Sequence, residues 1–313
     1  MIEYFLTDES RHSLTKLEQE EPGCWIALFN PTTEELDETA RRFALDEDDV
    51  RAALDPEEVS RVERSGDYVM FIVDTPVHDK TMGARGYKTI PIAVFETENH
   101  VVSVCSIYQL PVIAQLKTKM HDLHETSDIK GFTSDLLLAS SSAYFKLLTA
   151  LNRRRMELSS VTNRPSRKDL EELYSLDASF VYLTTSLTTN DTVFERYRRY
   201  VLASSSTEEL DQFDDVIIEN RQALETTRIY SAILDSTIDH FGLMMDYDLN
   251  RTMQLVAALT FVLTIPTLVG GLFGMNVGGI PFADDPFGFA LVTAGTGFVI
   301  IVLLFLLKRL RWF

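Results

Sequence analysis

Two uncharged apolar stretches near the C-terminus constrain this 313-residue chain more than any other feature. Thr252 to Phe273 contains no charged residue, and neither does Phe287 to Leu307. Each stretch is close to the roughly 20 residues that a helix needs to cross a bilayer. A buried core helix is the alternative, but two adjacent uncharged runs favour membrane spans. We therefore expect a multi-pass protein of the cell (inner) membrane, in contact with the lipid bilayer.

The charges that flank the two spans predict their orientation. Arg251 precedes the first span and three basic residues follow the second within 308–311, whereas the link between them holds only Asp284 and Asp285. Because basic residues are enriched on the cytoplasmic side of a membrane, both termini are expected to be cytoplasmic. The first five residues lack a basic region followed by an apolar core, so we expect no secretory signal.

Composition narrows the classes of partner. The formal charge of −18 argues against a nucleic-acid partner, which would require a basic surface, and makes small cations the more natural partners. The two cysteines, Cys24 and Cys105, are typical of a protein in a reducing compartment. The sequence contains no Gly-rich phosphate loop, no Cys/His metal spacing and no nucleophile elbow. We therefore expect neither an enzyme nor an organic cofactor.

The N-terminal part, residues 1–126, is predicted to be a cytosolic α/β domain. Thr32 and Glu35 have the spacing of a capping box at the start of a helix. A further helix is predicted around residues 109–121. Runs of apolar and β-branched residues predict four strands, at Cys24–Phe29, Tyr68–Val73, Ile90–Phe95 and His100–Val104.

The rest of the cytosolic part is predicted to be helical. Residues 127–205 are expected to form a helical hairpin with a polar break at 162–166. Ser206 and Glu209 again have capping-box spacing, and from there one helix is predicted to continue through 273 into the first span. At 1.5 Å per residue such a helix is on the order of 100 Å long, so we expect self-association to support it. An extracytoplasmic loop over 274–286, a second span over 287–307 and a basic tail over 308–313 complete the chain.

Small and hydroxylated residues follow one face of the first span, with the seven-residue spacing of a helix–helix seam. Two interpretations remain open: close packing of membrane helices through small residues, with threonines bonded to their own backbone, or the lining of a pore. The positions of this face, all but the first of them small or hydroxylated, are Met253, Ala257, Thr260, Thr264, Thr267, Gly271 and Gly274.

The cytosolic continuation of this seam favours a pore. Stepping backward from Met253 reaches Asn250, Asp246 and Asp239. Carboxylates that face each other across a self-associating seam repel unless cations or water lie between them. At the opposite end of the span, Gly274-Met275-Asn276 begins the link to the second span, where a small residue and an amide could form the mouth of a pore.

With these residues the chain resembles the CorA family of divalent-cation (magnesium and cobalt) channels. Gly274-Met275-Asn276 matches the Gly-Met-Asn motif of that family, at the outer end of the first of two C-terminal spans. The tail Lys308–Phe313 and the segments 25–28 and 30–35 are also similar to it. Phe273 and Val277 depart from the commoner Tyr and Phe, and 277–281 resembles the zinc-transporting branch.

The resemblance implies a funnel-shaped homopentamer in which the first span lines the pore. Asn276 would present a ring of amide oxygens to a hydrated Mg²⁺, which gives up its water reluctantly. Met253 would form a hydrophobic gate with Val256 one turn on, and Asp239 an acidic ring in the cytosolic pore, with Asp246 beside it.

The resemblance also implies regulation by a second Mg²⁺. Asp215, with its neighbour Asp214, corresponds to a carboxylate that binds regulatory Mg²⁺ between subunits, and its N-terminal partner is not identified. Asp284 and Asp285 would attract cations to the outer loop.

The function implied is potential-driven influx of Mg²⁺, with Co²⁺ or Ni²⁺ as further ions, gated by intracellular Mg²⁺. One alternative is a proton-coupled zinc transporter on the same scaffold. The alternative of another class is a membrane-anchored sensor or scaffold without a pore.

Overall fold

A computed structural model describes residues 1–8, 13–78, 86–108, 112–113, 116, 123–159, 165–200, 202, 205–282 and 285–309. Its contacts divide the chain into two units, Met1–Ile238 and Asp239–Phe313. The boundary falls inside one long helix, so this helix contributes residues to both units.

The first unit is built on a seven-stranded mixed sheet. Its spatial order is β2-β1-β3-β7-β6-β5-β4, in which β3 and β7 run parallel and every other neighbouring pair is antiparallel. Strands β3 and β7 are buried along their whole length, as expected for strands covered on both faces. The strands are β1 (Ile2–Asp8), β2 (Ser13–Leu17), β3 (Trp25–Phe29), β4 (Arg61–Ser65), β5 (Tyr68–His78), β6 (Tyr87–Glu96) and β7 (Val101–Cys105).

Helices cover both faces of this sheet and enclose two apolar cores. On one face, α1 (Thr33–Arg42) and α2 (Glu47–Ala52) bury Leu36 and Val50 against the strands. On the other face, α3 (Ile129–Ser159) and α4 (Arg167–Tyr200) contribute most of the helical side chains of the second core. The result is a three-layer α/β/α arrangement, in which each amphipathic element buries its apolar side against the sheet.

Helix α5 (Thr207–Phe273) is the longest element of the chain, with 67 residues. It begins with a capping box, because Glu209 N donates to Ser206 Oγ at 3.2 Å and Ser206 N donates to Glu209 Oε2 at 2.7 Å. Pro266 lies inside the helix. Proline has no backbone N–H, so the carbonyl of Val262 receives no helical hydrogen bond from residue 266.

The second unit contains the end of α5 and the whole of α6 (Gly288–Arg309). Both helices are long and apolar enough to cross a membrane, with mean hydropathies of 2.1 and 2.6 over their most apolar windows. Large apolar side chains such as Phe289, Phe298 and Phe305 are exposed on α6. Exposure of this kind is typical of a helix whose surroundings are lipid rather than water.

The elements confirm most of the predicted secondary structure. All four predicted strands are present, the two capping boxes form at Thr32 and Ser206, and one helix continues through residue 273. Strands β1, β2 and β4 were not predicted. The helix expected around 109–121 and the helical break at 162–166 lie largely outside the described residues. The domain boundaries given in the sequence analysis, from the cytosolic α/β domain to the basic tail, stay a prediction.

Candidate functional site

The small-residue face of α5 forms a shallow depression in the second unit, about 580 Å³ in volume. Thr260, Thr264, Thr267 and Gly271 line it, together with leucines at its margins. Four of the seam residues predicted from the heptad spacing therefore share one concave strip. Short side chains produce the concavity, because the neighbouring leucines stand further from the helix axis.

The hydroxyl of each threonine in this strip donates a hydrogen bond to a backbone carbonyl of α5 itself. The hydroxyls of Thr260, Thr264 and Thr267 donate to the carbonyls of Val256, Thr260 and Leu263 at 2.8, 2.7 and 2.8 Å. A hydroxyl has one proton and two acceptor lone pairs. Once the proton is donated to the helix, the exposed oxygen is purely an acceptor, and the strip presents acceptor oxygens without charge.

Gly274 closes the C-terminal end of α5. Its N–H donates to the carbonyl of Gly270 at 2.9 Å, which continues the helical hydrogen bonds one residue past Phe273. A Cβ at position 274 would lie 3.0 Å from the Gly270 carbonyl oxygen, closer than most real Cβ contacts. A side chain at position 274 would therefore push the last turn outward by a few tenths of an ångström. Met275 and Asn276 are exposed directly beyond the helix.

The loop between the spans is shaped by two local contacts. Asp285 Oδ1 accepts from Phe287 N at 2.8 Å, so this carboxylate also organises the start of α6. Phe282 has a positive φ of 65°, and its carbonyl lies where a Cβ on Gly288 would come within 2.1 Å. Asp284 lies outside the described residues.

Most residues at the predicted cytosolic end of the pathway are exposed in the single chain. Asp239, Asp246 and Asn250 are exposed on α5. The side chain of Met253 is 60% exposed and that of Val256 is 55% exposed, which is high for large apolar residues. Ala257 is half-buried.

Asp214 and Asp215 lie in the first unit and have different surroundings. The Arg198 guanidinium on α4 donates to both carboxylate oxygens of Asp214, with 2.8 Å from Nη2 to Oδ2. This contact raises the pKa of Arg198. Asp215 is exposed and has no ion pair among the described residues. Of these two aspartates, therefore, only Asp215 has a carboxylate without an ion pair in the described part of the chain.

Two buried neighbours hold this pair of aspartates on the surface. Phe213 and Val216 are fully buried, and the Phe213 ring lies 4.8 Å from that of Tyr197. Tyr197 in turn donates from its hydroxyl to Glu96 Oε1 at 2.8 Å. Burial raises the pKa of Glu96 to about 7, against the lowering effect of this hydrogen bond. The segment that carries Asp215 is thus anchored to the sheet through an aromatic contact and a buried carboxyl group.

The described residues contain no group of three or more His, Cys, Asp or Glu side chains that could hold a metal ion. Asp215 and the predicted Asp214 are therefore not part of such a group within the described part of one chain. Sequence reasoning missed the Arg198–Asp214 pair. The only signal available was the acidic pair at 214–215 following a basic run at 196–199, which does not specify a contact.

Comparison with known proteins shows relatives along nearly the whole chain. The cobalt/magnesium transport protein CorA of Methanocaldococcus jannaschii is 23% identical over 293 residues, which cover 92% of this chain and 90% of that protein. The zinc transport protein ZntB of Pectobacterium carotovorum subsp. carotovorum is 23% identical over 296 residues, with 93% and 88% covered.

The solved structures show the same fold. The complete structure of the CorA magnesium transporter from Methanocaldococcus jannaschii superimposes with a TM-score of 0.83 at 21% identity, covering 100% of this chain and 99% of that one. The α/β unit, the long helices and the two C-terminal apolar helices therefore have a solved counterpart. The family model described as CorA-like Mg²⁺ transporter protein matches residues 20–309, and the chain accordingly belongs to this family of divalent-cation transporters.

Proposed function

We propose that this chain forms a potential-driven Mg²⁺ channel whose selective mouth is built by Asn276. The observation that carries the proposal is the continuous exposed strip on α5 that ends at Gly274, with Asn276 directly beyond it. Family membership favours transport over a membrane-anchored sensor without a pore. No catalytic residue is assigned.

The chemistry of the strip supports passage of a hydrated cation. Water molecules around a cation point their hydrogens outward, so a wall that contacts them must accept hydrogen bonds. The threonine hydroxyls have already donated their protons to the helix, which leaves acceptor oxygens for this purpose. Mg²⁺ dehydrates reluctantly, so neutral oxygens that contact its water shell suit it better than direct ligands. A ring of carboxylates would hold the ion more tightly and slow its exit.

The proposal requires several copies of the chain around one axis, and we infer five from the family resemblance. In such an assembly the exposed strip of each α5 faces the others, with Asp239 and Asp246 at its cytosolic end and a constriction at Met253 and Val256. Both termini lie in the cytoplasm. An inside-negative potential contributes about 2.3 kcal/mol per charge per 100 mV, hence about 4.6 kcal/mol for a divalent ion, so inward flow needs no nucleotide.

Regulation by intracellular Mg²⁺ is assigned to Asp215. Its exposed carboxylate is a suitable oxygen ligand for Mg²⁺, whereas Asp214 is already bound by Arg198. The remaining ligands would come from a neighbouring subunit, and the bound ion would offset repulsion between acidic surfaces there.

Proton-coupled zinc transport is the second candidate. The similarity to the ZntB zinc transporter supports it, as does the segment 277–281 after Asn276. Purified protein in liposomes separates the two: Mg²⁺ uptake that responds to membrane potential supports the channel, whereas Zn²⁺ uptake that responds to a pH gradient supports the alternative.

The test of the proposed mouth is Asn276→Ala in the same liposomes. We expect Mg²⁺ uptake to fall at least tenfold, with Val277→Ala as the matched control, because Val277 is an equally exposed neighbour without an amide. Equal uptake by the wild type and Asn276→Ala would remove Asn276 from the pathway.

A further inference from the structure

A groove of about 710 Å³ lies on the first unit, between the edge strand β4 and helix α4. Three arginines line it: Arg64 from the strand, and Arg196 and Arg199 from the helix. All three are exposed. In a chain with a formal charge of −18, a groove with three converging arginines contrasts with the rest of the surface.

The acidic residues of the groove do not neutralise these arginines. Asp191 and Glu195 are bound by Arg221 of α5, at 2.8 Å and 2.6 Å. Glu63 is bound by Arg61 at 3.0 Å. Each carboxylate in the lining therefore has a basic partner that is not itself part of the lining.

The three lining arginines have no ion pair or hydrogen bond to any residue in the described part of the chain. This differs from most other arginines of the first unit: Arg51, Arg154 and Arg198, for example, each contact a carboxylate. Arginine side chains carry a planar fork of donors that matches the oxygens of a phosphate group. Three uncommitted forks around one groove can bind more than one such group at once.

We propose that this groove binds a small soluble anion that carries two or more phosphate groups. Its volume lies within the roughly 300–1,000 Å³ of typical small-molecule sites. The described lining contains no aromatic side chain on which a base could stack, so recognition rests on the phosphates. The groove belongs to the first unit and the strip on α5 to the second, and the proposal does not depend on which cation the protein transports.

Tripolyphosphate is the probe that tests the proposal, by isothermal titration calorimetry with the purified full-length protein in Mg²⁺-free buffer. We expect saturable binding with one anion per chain, at least about tenfold tighter than inorganic phosphate, which corresponds to roughly 1.4 kcal/mol. Affinity should fall as salt is raised, because the contacts are ionic. Absence of saturable binding to the wild type would overturn the proposal.

Two variants probe opposite walls of the groove. The double substitution Arg196→Gln with Arg199→Gln removes the two positive charges that α4 contributes to the groove. Arg64→Gln removes the one that β4 contributes. Each should weaken tripolyphosphate binding at least about tenfold. Because these exposed side chains make no ion pair or hydrogen bond in the described part of the chain, their loss should leave thermal unfolding unchanged.

The matched control is Arg153→Gln with Arg167→Gln. These side chains are 85% and 91% exposed, and within the described residues each forms an ion pair only with a glutamate four residues on in its own helix. The control removes as many charges from the same unit as Arg196→Gln with Arg199→Gln does, and it should bind tripolyphosphate as the wild type does. An equal loss in the control and the groove variants would show a general charge effect and refute the site. Neither outcome depends on ion transport, so failure of the proposed channel function would leave this test intact.

Discussion

The guanidinium of Arg198 binds both carboxylate oxygens of Asp214, whereas the adjacent Asp215 has no such partner among the described residues. These two neighbouring acids of α5 therefore differ in which interactions they can make. Asp214 joins α5 to α4, and Asp215 remains open to a cation.

Asp215→Ala is expected to weaken inhibition of transport by internal Mg²⁺. The concentration needed for half-inhibition should rise about tenfold, equivalent to roughly 1.4 kcal/mol of lost coupling. Flux into liposomes at graded internal Mg²⁺ measures this. Asp211→Ala is the matched control, since Asp211 is exposed one turn earlier on α5. Unchanged inhibition in Asp215→Ala would remove this residue from regulation.

Asp214→Ala should act on stability instead. It removes the ion pair with Arg198. The two side chains of this pair are 41% and 34% exposed, so solvent screening keeps the loss of stability small. Thermal unfolding should show a small decrease that high salt reduces. If Asp214→Ala instead shifted Mg²⁺ inhibition as strongly as Asp215→Ala, both carboxylates would have to be ligands.

Gly274→Ala is expected to lower Mg²⁺ uptake without loss of the folded protein. The new Cβ would lie 3.0 Å from the Gly270 carbonyl oxygen, so the last turn of α5 must shift and Asn276 must move with it. We expect uptake to fall about tenfold, or roughly 1.4 kcal/mol in the barrier. Gly278→Ala is the control, because a Cβ there meets no described atom within 4 Å. Equal uptake by the two variants would contradict the proposed role of the turn.

Thr264→Val tests whether the strip on α5 contacts the permeating ion. The substitution preserves shape but removes the acceptor oxygen, so uptake should fall several-fold, while Thr264→Ser should keep most of it. Thr293→Val on α6 is the control, since its hydroxyl also donates to the carbonyl four residues earlier, at 2.8 Å. A similar effect at both positions would indicate a role in the helices themselves rather than in a pore.

Glu96 should make the first unit less stable as pH rises. Its pKa is about 7 in the folded protein, above the ordinary 4.5, so the folded state binds the proton more tightly than the unfolded state. The resulting stabilisation is fully present below about pH 4.5 and is lost as pH rises through about 7, with an upper limit of about 3 kcal/mol.

Glu96→Gln keeps an oxygen that can accept from Tyr197 but cannot ionise. Thermal unfolding between pH 5 and pH 8 should therefore show a weaker pH dependence in Glu96→Gln than in the wild type. Glu98→Gln is the control, because Glu98 is exposed and close in sequence. A wild-type slope that persists in Glu96→Gln would assign the dependence to other groups.

The sequence predicted those features that depend on local order along the chain. Four of the five residues of strand β7 are apolar, Thr32 and Glu35 form a capping box by spacing alone, and the two spans follow from the absence of charge. Strand β4 was missed because Arg-Val-Glu-Arg-Ser has one apolar residue in five, as an edge strand can tolerate.

The candidate site was predictable only in part, because sequence patterns report local order along the chain and not contacts between elements. Thr260, Thr264 and Thr267 share one strip because helical periodicity dictates it. The contact between Arg198 and Asp214 joins two helices across a turn, and no spacing rule specifies which acid the arginine will bind. The direction of the threonine protons likewise depends on side-chain rotamers, which a residue pattern does not encode.

Pro266 gives α5 a mechanical property. The missing hydrogen bond to Val262 lowers the bending stiffness of the helix at one point, between Met253 and Asn276. If the part of α5 before Pro266 moves, the helix can bend at Pro266, so the movement is not passed on in full to the C-terminal end of the helix. In the proposed channel, a constriction at Met253 would then widen while the turn at Gly274 keeps its shape, so opening and ion selection would be separable properties of one helix.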